Sequence, residues 1–243
     1  MDKAQYALMY HIEDSHWWYL GMRGITRTLL SRTQKPGSGA TMLDAGCGTG
    51  GYLADYEGPG FGVDYSPDAL EYCQKRGLAT VSRASVQALP FLDESFDLVV
   101  SSDVLYHLGV SDDIEALREF WRVLRPGGTA IIRLPAYDWL RGAHDTAVHT
   151  RYRYTGGELQ TRMKDAGFEV LRITHANCLL FPLALAKRLL EGRLIASSSE
   201  LEEASILANW VGRCALSVEA QILRFIDLPW GLSVIGVGRK SRS

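Results

Sequence analysis

The segment Leu43-Asp44-Ala45-Gly46-Cys47-Gly48-Thr49-Gly50-Gly51 restricts the fold of this chain more than any other. A short apolar run, Thr41–Asp44, meets closely spaced glycines and then a helical pattern. Glycine carries no Cβ, so such a turn bends sharply and sets bare backbone against whatever lies at the strand's end. Strand, glycine turn and helix in that order open a parallel sheet whose ligands lie outside the carboxyl ends of its strands.

The alternation then repeats. Gly60–Asp64 reads as a second strand, and Ser66-Pro67 starts the helix after it. Ala79–Ser82 is a short third strand, and Phe96–Ser101 a fourth, apolar enough to be covered on both faces. A helix over Ile114–Leu124 ends at Arg125-Pro126-Gly127-Gly128, and Thr129–Leu134 is a fifth strand. Pro135 to Tyr154 reads as a long loop rich in His, Arg and Tyr, of the kind that more often serves function than idles. A helix over Thr155–Ala166, a strand over Phe168–Thr174, and helices over Leu179–Leu194 and Glu200–Ile226 follow. The last strand is Leu232–Gly238, where Val234 and Val237 suit a place inside the sheet. Helices also occupy the first thirty residues.

The pattern predicts an α/β fold: a Rossmann-like, doubly wound, mostly parallel seven-stranded sheet. An N-terminal helical cover and a helical insert before the last strand complete it. One domain is expected, with residues 40–135 as the cofactor-binding core and 136–228 as a substrate-binding loop and insert.

Gly46, Gly48 and Gly51 satisfy G-x-G-x-x-G, which alone fits a nicotinamide-dependent oxidoreductase as well as other nucleotide binders. Asp64, ending the second strand, suits ribose hydroxyls in either case. The neighbouring motifs discriminate. Asp44-x-Gly46-x-Gly48-x-Gly50 resembles the first motif of the class I S-adenosylmethionine-dependent methyltransferases. The resemblance continues through Gly62-Val63-Asp64-Tyr65-Ser66, Ala88-Leu89-Pro90-Phe91, Ser95–Ser101 and Val123–Gly128, in the family's order and spacing. His16-Trp17-Trp18-Tyr19 with Arg23, and Pro229-Trp230-Gly231, are similar to a bacterial small-molecule subgroup.

The resemblance implies S-adenosylmethionine as cofactor and S-adenosylhomocysteine as product. Asp44 before the turn agrees, because a carboxylate there repels pyrophosphate and attracts a methionyl ammonium. Asp64 is then the ribose acceptor and Tyr65 a stacking partner for adenine. Ser85, with Val86 beside it, stands where the family usually has an adenine-binding Asp. That is a departure from the pattern. Ser102, with Asp103, lies under the sulfonium. Arg23 is the candidate for the methionyl carboxylate, since arginine forks to carboxylates; the alternative is a surface arginine on an amphipathic helix.

Methyl transfer is an in-line displacement that needs alignment and sometimes a base. Candidate catalytic groups are His107 after the fourth strand, and His144 with Asp145 in the long loop, where a carboxylate can orient a histidine. His107 has the alternative of a buried helix-capping residue. His149, Arg151, Tyr152, Arg153 and Tyr154 read either as an anionic substrate pocket or as a solvated loop. The apolar stripe Leu179–Leu190 reads as a lipophilic pocket, a cover for the sheet, or a homodimer interface.

Bulk properties narrow the classes. A formal charge of −2 gives no electrostatic case for nucleic acid. Four separated cysteines offer no metal-ligand spacing and suit reduced thiols. The polar start carries no leader-like apolar run, and Cys178–Ala186, the longest apolar stretch, stops at Lys187 and Arg188, short of a transmembrane span. The expectation is a cytoplasmic methyltransferase for a small-molecule acceptor, anionic or lipophilic, taking the methyl at oxygen or nitrogen, with no bound metal. A catalytically silent cofactor-binding module is the non-enzymatic alternative.

Overall fold

Strands β1 (Met42–Ala45), β2 (Gly60–Asp64), β3 (Val81–Arg83), β4 (Phe96–Ser102), β5 (Leu124–Pro135), β6 (Glu169–Ala176) and β7 (Ser233–Arg239) form one sheet. Its order is β3-β2-β1-β4-β5-β7-β6. The computed structural model describes residues 3–33, 39–142, 145, 150–183, 185–186 and 205–242. All neighbours are parallel except β7, which runs antiparallel to both β5 and β6. β7 therefore lies inside the sheet, where its buried valines place it.

Helices α1 (Lys3–Ile12), α2 (Trp17–Leu30), α3 (Gly51–Ala54), α4 (Pro67–Lys75), α5 (Asp113–Val123), α6 (Gly156–Asp165) and α7 (Ile206–Ile222) complete the order. On one face, Met22, Ile25 and Leu29 of α2 and Leu216 and Ala220 of α7 bury Leu98, Val100, Ile131 and Ile235. On the other, Leu117 and Phe120 of α5 and Leu159 and Met163 of α6 bury Val99, Ile132 and Val234. Close approach of α2 and α7 depends on two glycines. A Cβ on Gly21 would stand 2.3 Å from Leu216 Cδ1, and one on Gly212 would stand 2.4 Å from Trp17 Cδ2.

The start signals behave as their chemistry requires. Pro67 opens α4, Asp112 accepts from the Ile114 and Glu115 amides at α5, and Thr155 with Glu158 closes a capping box at α6. β5 begins at Leu124 rather than Thr129, because Leu124 pairs with Phe96 and the Arg125–Gly128 turn is absorbed as a register irregularity. The last helix is shorter than its sequence pattern. Ser205 caps α7 by accepting from the Ala208 amide, and α7 ends at Ile222. Of the helix expected over Leu179–Leu194, positions 184 and 187–194 lie outside the described residues, as do positions 200–204. Leu179 and Leu183 stand exposed. Leu207, Trp210, Val211 and Val218 face outward on α7, while Leu216 and Ala220 face α2.

Candidate active site

The carboxyl ends of β1, β2 and β4 meet at the glycine turn. Gly46 has φ +85° and Gly48 φ +55°, left-handed values that follow from the turn's reversal. The Gly46 and Cys47 amides donate to Val63 O at 2.8 and 2.9 Å, tying the turn to β2. Asp64 then joins two loops: its Oδ2 accepts from the Gly48 amide and its Oδ1 from the Ser66 amide, each at 2.9 Å. Burial pushes the Asp64 carboxyl up, and those two amides oppose the shift. Two amides leave roughly half of a carboxylate's ~4 acceptor positions open. Tyr65 is exposed, with Arg83 over its ring at 5.4 Å.

Asp44 lies behind the turn, 3% exposed. Burial, then the negative charges of Asp64 and Glu13, push its carboxyl up to about 7. A folded value above the unfolded one means that the folded chain holds a proton the unfolded chain has released. Stability contributed at Asp44 therefore falls as pH rises from about 4 to about 7. Asp44→Asn is expected to stabilise the free protein at pH 8 by about 2–4 kcal/mol, with the gain fading toward pH 4. Urea unfolding at both pH values measures it, and an equal gain at both would sink the assignment.

α1 and the start of α2 cover this edge. The Met9 methyl would lie 2.8 Å from a Cβ on Gly48. Glu13 accepts from the Thr49 hydroxyl, from Arg76 at 2.7 Å and from Arg23 at 3.3 Å. Arg23, 6% exposed, also meets Asp55 at 3.0 Å and Asp14 at 3.4 Å. It is thus a buried ion-pair hub beneath α3, and the reading of a free surface arginine is corrected. At the end of β4, Ser101 Oγ donates to Ala45 O at 2.9 Å, and Ser102 follows half-buried. Asp103, at φ +58°, receives Arg133 at 2.6 and 3.0 Å, and the Arg133 guanidinium sits 5.0 Å over Trp18. Ser85 Oγ accepts from the Gln87 amide at 3.2 Å, and Val86 is buried in the core. Asp44, Gly46, Gly48, Asp64, Tyr65, Ser85, Val86 and Ser102 all lie at the carboxyl ends of β1, β2, β3 and β4 or in the loops leaving them.

The acceptor-side candidates are distributed differently. His107 follows β4, half-buried, its ring 4.3 Å from Tyr106. His144 and His149 lie outside the described residues. Asp145 is buried and bound by Arg153 at 2.8 and 2.9 Å, and it accepts from the Gly142 amide at 2.7 Å. Its carboxylate closes that loop, and the histidine it is expected to orient, His144, lies outside the described residues. Among the described residues, the basic, tyrosine-rich run is held by partners of its own. Tyr152 and Tyr154 donate to Asp113 at 2.6 Å, Arg162 reaches the same carboxylate at 2.6 Å, and Arg151 donates to Ser111 O at 2.7 Å.

Three participants were missed in the sequence reading: Glu13, Arg76 and Arg133. Arg133 carried a signal, a charge inside the apolar run Thr129–Leu134; the others carried none until the fold placed them. Among the described residues no cluster of His, Cys, Asp and Glu suits a metal ion, and no helix is long and apolar enough to cross a membrane.

Residues 43–132 match a family model described as a methyltransferase domain. A Mycolicibacterium smegmatis protein named as an S-adenosylmethionine-dependent methyltransferase is 29% identical over 166 residues, 65% of this chain and 62% of its own. A human protein named as tRNA methyltransferase 9B is 39% identical over 101 residues, 41% of this chain and 22% of its own. The chain thus spans less than two thirds of these curated relatives. Among solved structures, the methyltransferase in a Haloferax volcanii complex with the Trm112 methyltransferase activator is similar at TM-score 0.62 and 25% identity. That match covers 99% of this chain and 96% of the other.

Proposed function

We propose that this chain is a class I S-adenosylmethionine-dependent methyltransferase, a reading supported by the methyltransferase-domain match over residues 43–132 and by its relatives, and that it transfers a methyl group to an oxygen of a small-molecule acceptor. The observation that carries the cofactor half is the left-handed glycine turn locked to Asp64 through the Gly48 amide. A turn of bare backbone admits the ligand closely, and the remaining acceptor positions of Asp64 suit two ribose hydroxyls. Asp44, ionised on binding, faces the methionyl ammonium, and Tyr65 lies against the adenine. Ser85 and Val86 border the adenine side, and Ser102 the sulfonium. Arg23 anchors the carboxylate end, in exchange for one of its present acidic partners. S-adenosylmethionine, once bound, supplies an electrophilic methyl carbon; alignment and proton removal are left to the protein.

Oxygen is the preferred target because imidazoles, His107 and His175, stand at the ends of β4 and β6, where a hydroxyl proton needs an acceptor. Asp64→Ala is expected to weaken S-adenosylhomocysteine binding by about 2–4 kcal/mol through lost charge-assisted hydrogen bonds. Calorimetric titration of both proteins tests this, with NAD and NADP as controls. Unchanged affinity removes the ribose from Asp64, and binding of a nicotinamide cofactor alone revives the oxidoreductase.

A second reading, an RNA acceptor presented with a protein partner, draws on the tRNA methyltransferase likeness and the Trm112 complex. The formal charge of −2 counts against it. A tRNA gel shift that weakens steeply with salt would favour it.

A further inference from the structure

At the carboxyl ends of β5 and β6, away from the glycine turn, four rings come together. Tyr137 leaves β5 with φ +59°, a value that a bulky residue adopts only when its surroundings impose it, most often at functional sites. His175, on β6, stacks on Tyr137 at 5.6 Å and 10°. Trp139 and Phe181 flank Tyr137 at 5.7 and 6.2 Å and stand at 86° to each other, which makes an aromatic corner. Trp139 is 65% exposed, a large apolar surface turned to solvent at the mouth of the sheet.

The polar edge of this cluster has one consistent proton arrangement. His175 Nδ1 is 3.1 Å from Leu228 O, and a carbonyl only accepts, so Nδ1 carries the hydrogen. Nε2 is then a bare acceptor, and the Tyr137 hydroxyl donates to it at 3.2 Å. Burial lowers the affinity of His175 for a second proton, which keeps the imidazole neutral at physiological pH. Among the described residues, the titratable groups facing the pair are Cys178, beside Tyr137, and Glu219 beyond it; burial pushes both up, toward their uncharged forms.

We propose that this cluster is the acceptor subsite: Trp139 and Phe181 seat a hydroxyaryl group, and Tyr137, backed by His175, takes the proton of its hydroxyl. The inference rests on the methyltransferase reading and names the substrate class of that same site. A flat ring fits the corner, and a base is useful only to an acceptor that must lose a proton. The acceptor hydroxyl gives its proton to Tyr137 Oη as the Tyr137 proton passes to His175 Nε2, which becomes an imidazolium and later releases it to water. The acceptor oxygen forms its bond to the methyl carbon as the carbon–sulfur bond breaks, the electron pair remaining on sulfur. Tyr137 touches the acceptor and is catalytic; His175 acts through it and is a positioning residue.

The probe is 1-naphthol, titrated calorimetrically into protein saturated with S-adenosylhomocysteine and assayed for methyl transfer, with cyclohexanol and aniline as comparisons. Trp139→Ala is expected to weaken 1-naphthol binding about tenfold, leaving S-adenosylhomocysteine affinity within about twofold. His175→Gln accepts the Tyr137 hydrogen bond without taking its proton. It is expected to bind 1-naphthol normally, lower turnover about a hundredfold, and lose the acidic limb of the kcat/KM profile. Tyr137→Phe, a milder change, is expected to show the same turnover loss. Unchanged 1-naphthol binding in Trp139→Ala, equal use of cyclohexanol or aniline, or an acidic limb that survives His175→Gln and vanishes in His107→Ala overturns the proposal. Failure of the wild type to bind S-adenosylhomocysteine defeats the methyltransferase reading itself.

Discussion

Gly48→Asp is expected to abolish measurable cofactor binding, a loss of about a hundredfold or more, while the chain still folds. The two halves have separate causes. At φ +55° aspartate is among the residues least penalised by left-handed backbone, so the turn itself survives. The new Cβ meets the terminal methyl of Met9, the far end of a flexible side chain that can rotate away. The ligand has no such freedom. The added side chain takes the space that bare backbone left for it, and the added carboxylate joins Asp64 and Asp44 in the same pocket. Calorimetry with S-adenosylhomocysteine, beside a thermal melt, separates the effects: a cooperative melt with an unchanged dissociation constant would remove the ligand from this turn.

Asp113→Ala is expected to cost about 3–5 kcal/mol of stability, because it strips a buried carboxylate from partners that remain. Asp113 is 3% exposed and accepts from Tyr152, Tyr154 and Arg162, with Arg151 at 3.4 Å. It pins the run before α6 onto the first turn of α5. Burial pushes its carboxyl up, but the two tyrosine hydroxyls and the arginines outweigh that and hold it below the usual carboxylate range. With a depressed folded value, its contribution is complete above about pH 4 and is lost as pH falls through that lower value. Urea unfolding at pH 7 and again near pH 3 reads both effects. A penalty under about 1 kcal/mol at pH 7 would show that the cluster is solvated rather than buried. Pairing the change with Tyr154→Phe in a double-mutant cycle should give a loss smaller than the sum, since both remove one shared contact.

The same cluster shows why part of the site was legible and part was not. The run Arg151-Tyr152-Arg153-Tyr154 reads as a basic, aromatic patch because its acidic partners, Asp113 and Asp145, are not visible as partners in the chain. Tyr154 and Asp113 stand 41 positions apart, and only the packing of α5 against α6 brings them to 2.6 Å. Arg23 shows the reverse. Its fork reads from the chain alone as a carboxylate partner, yet Glu13, in the turn after α1, and Asp55, at the end of α3, decide what it holds in the free protein.

Local chemistry determined the strand–turn–helix unit at Asp44–Gly51, the capped starts of α4 and α6, the apolar β4 and the cofactor class. Each depends on residues within a few positions of one another: missing Cβ atoms, a capping hydroxyl, an unbroken apolar run. Tertiary structure decided the antiparallel place of β7, the closure of α1 over the glycine turn, the neutralisation of the loop arginines, and the meeting of Tyr137 with His175 across 38 positions. Those outcomes depend on which side chains reach each other once a shared core is buried. Neither hydrophobic period nor motif spacing encodes that distance.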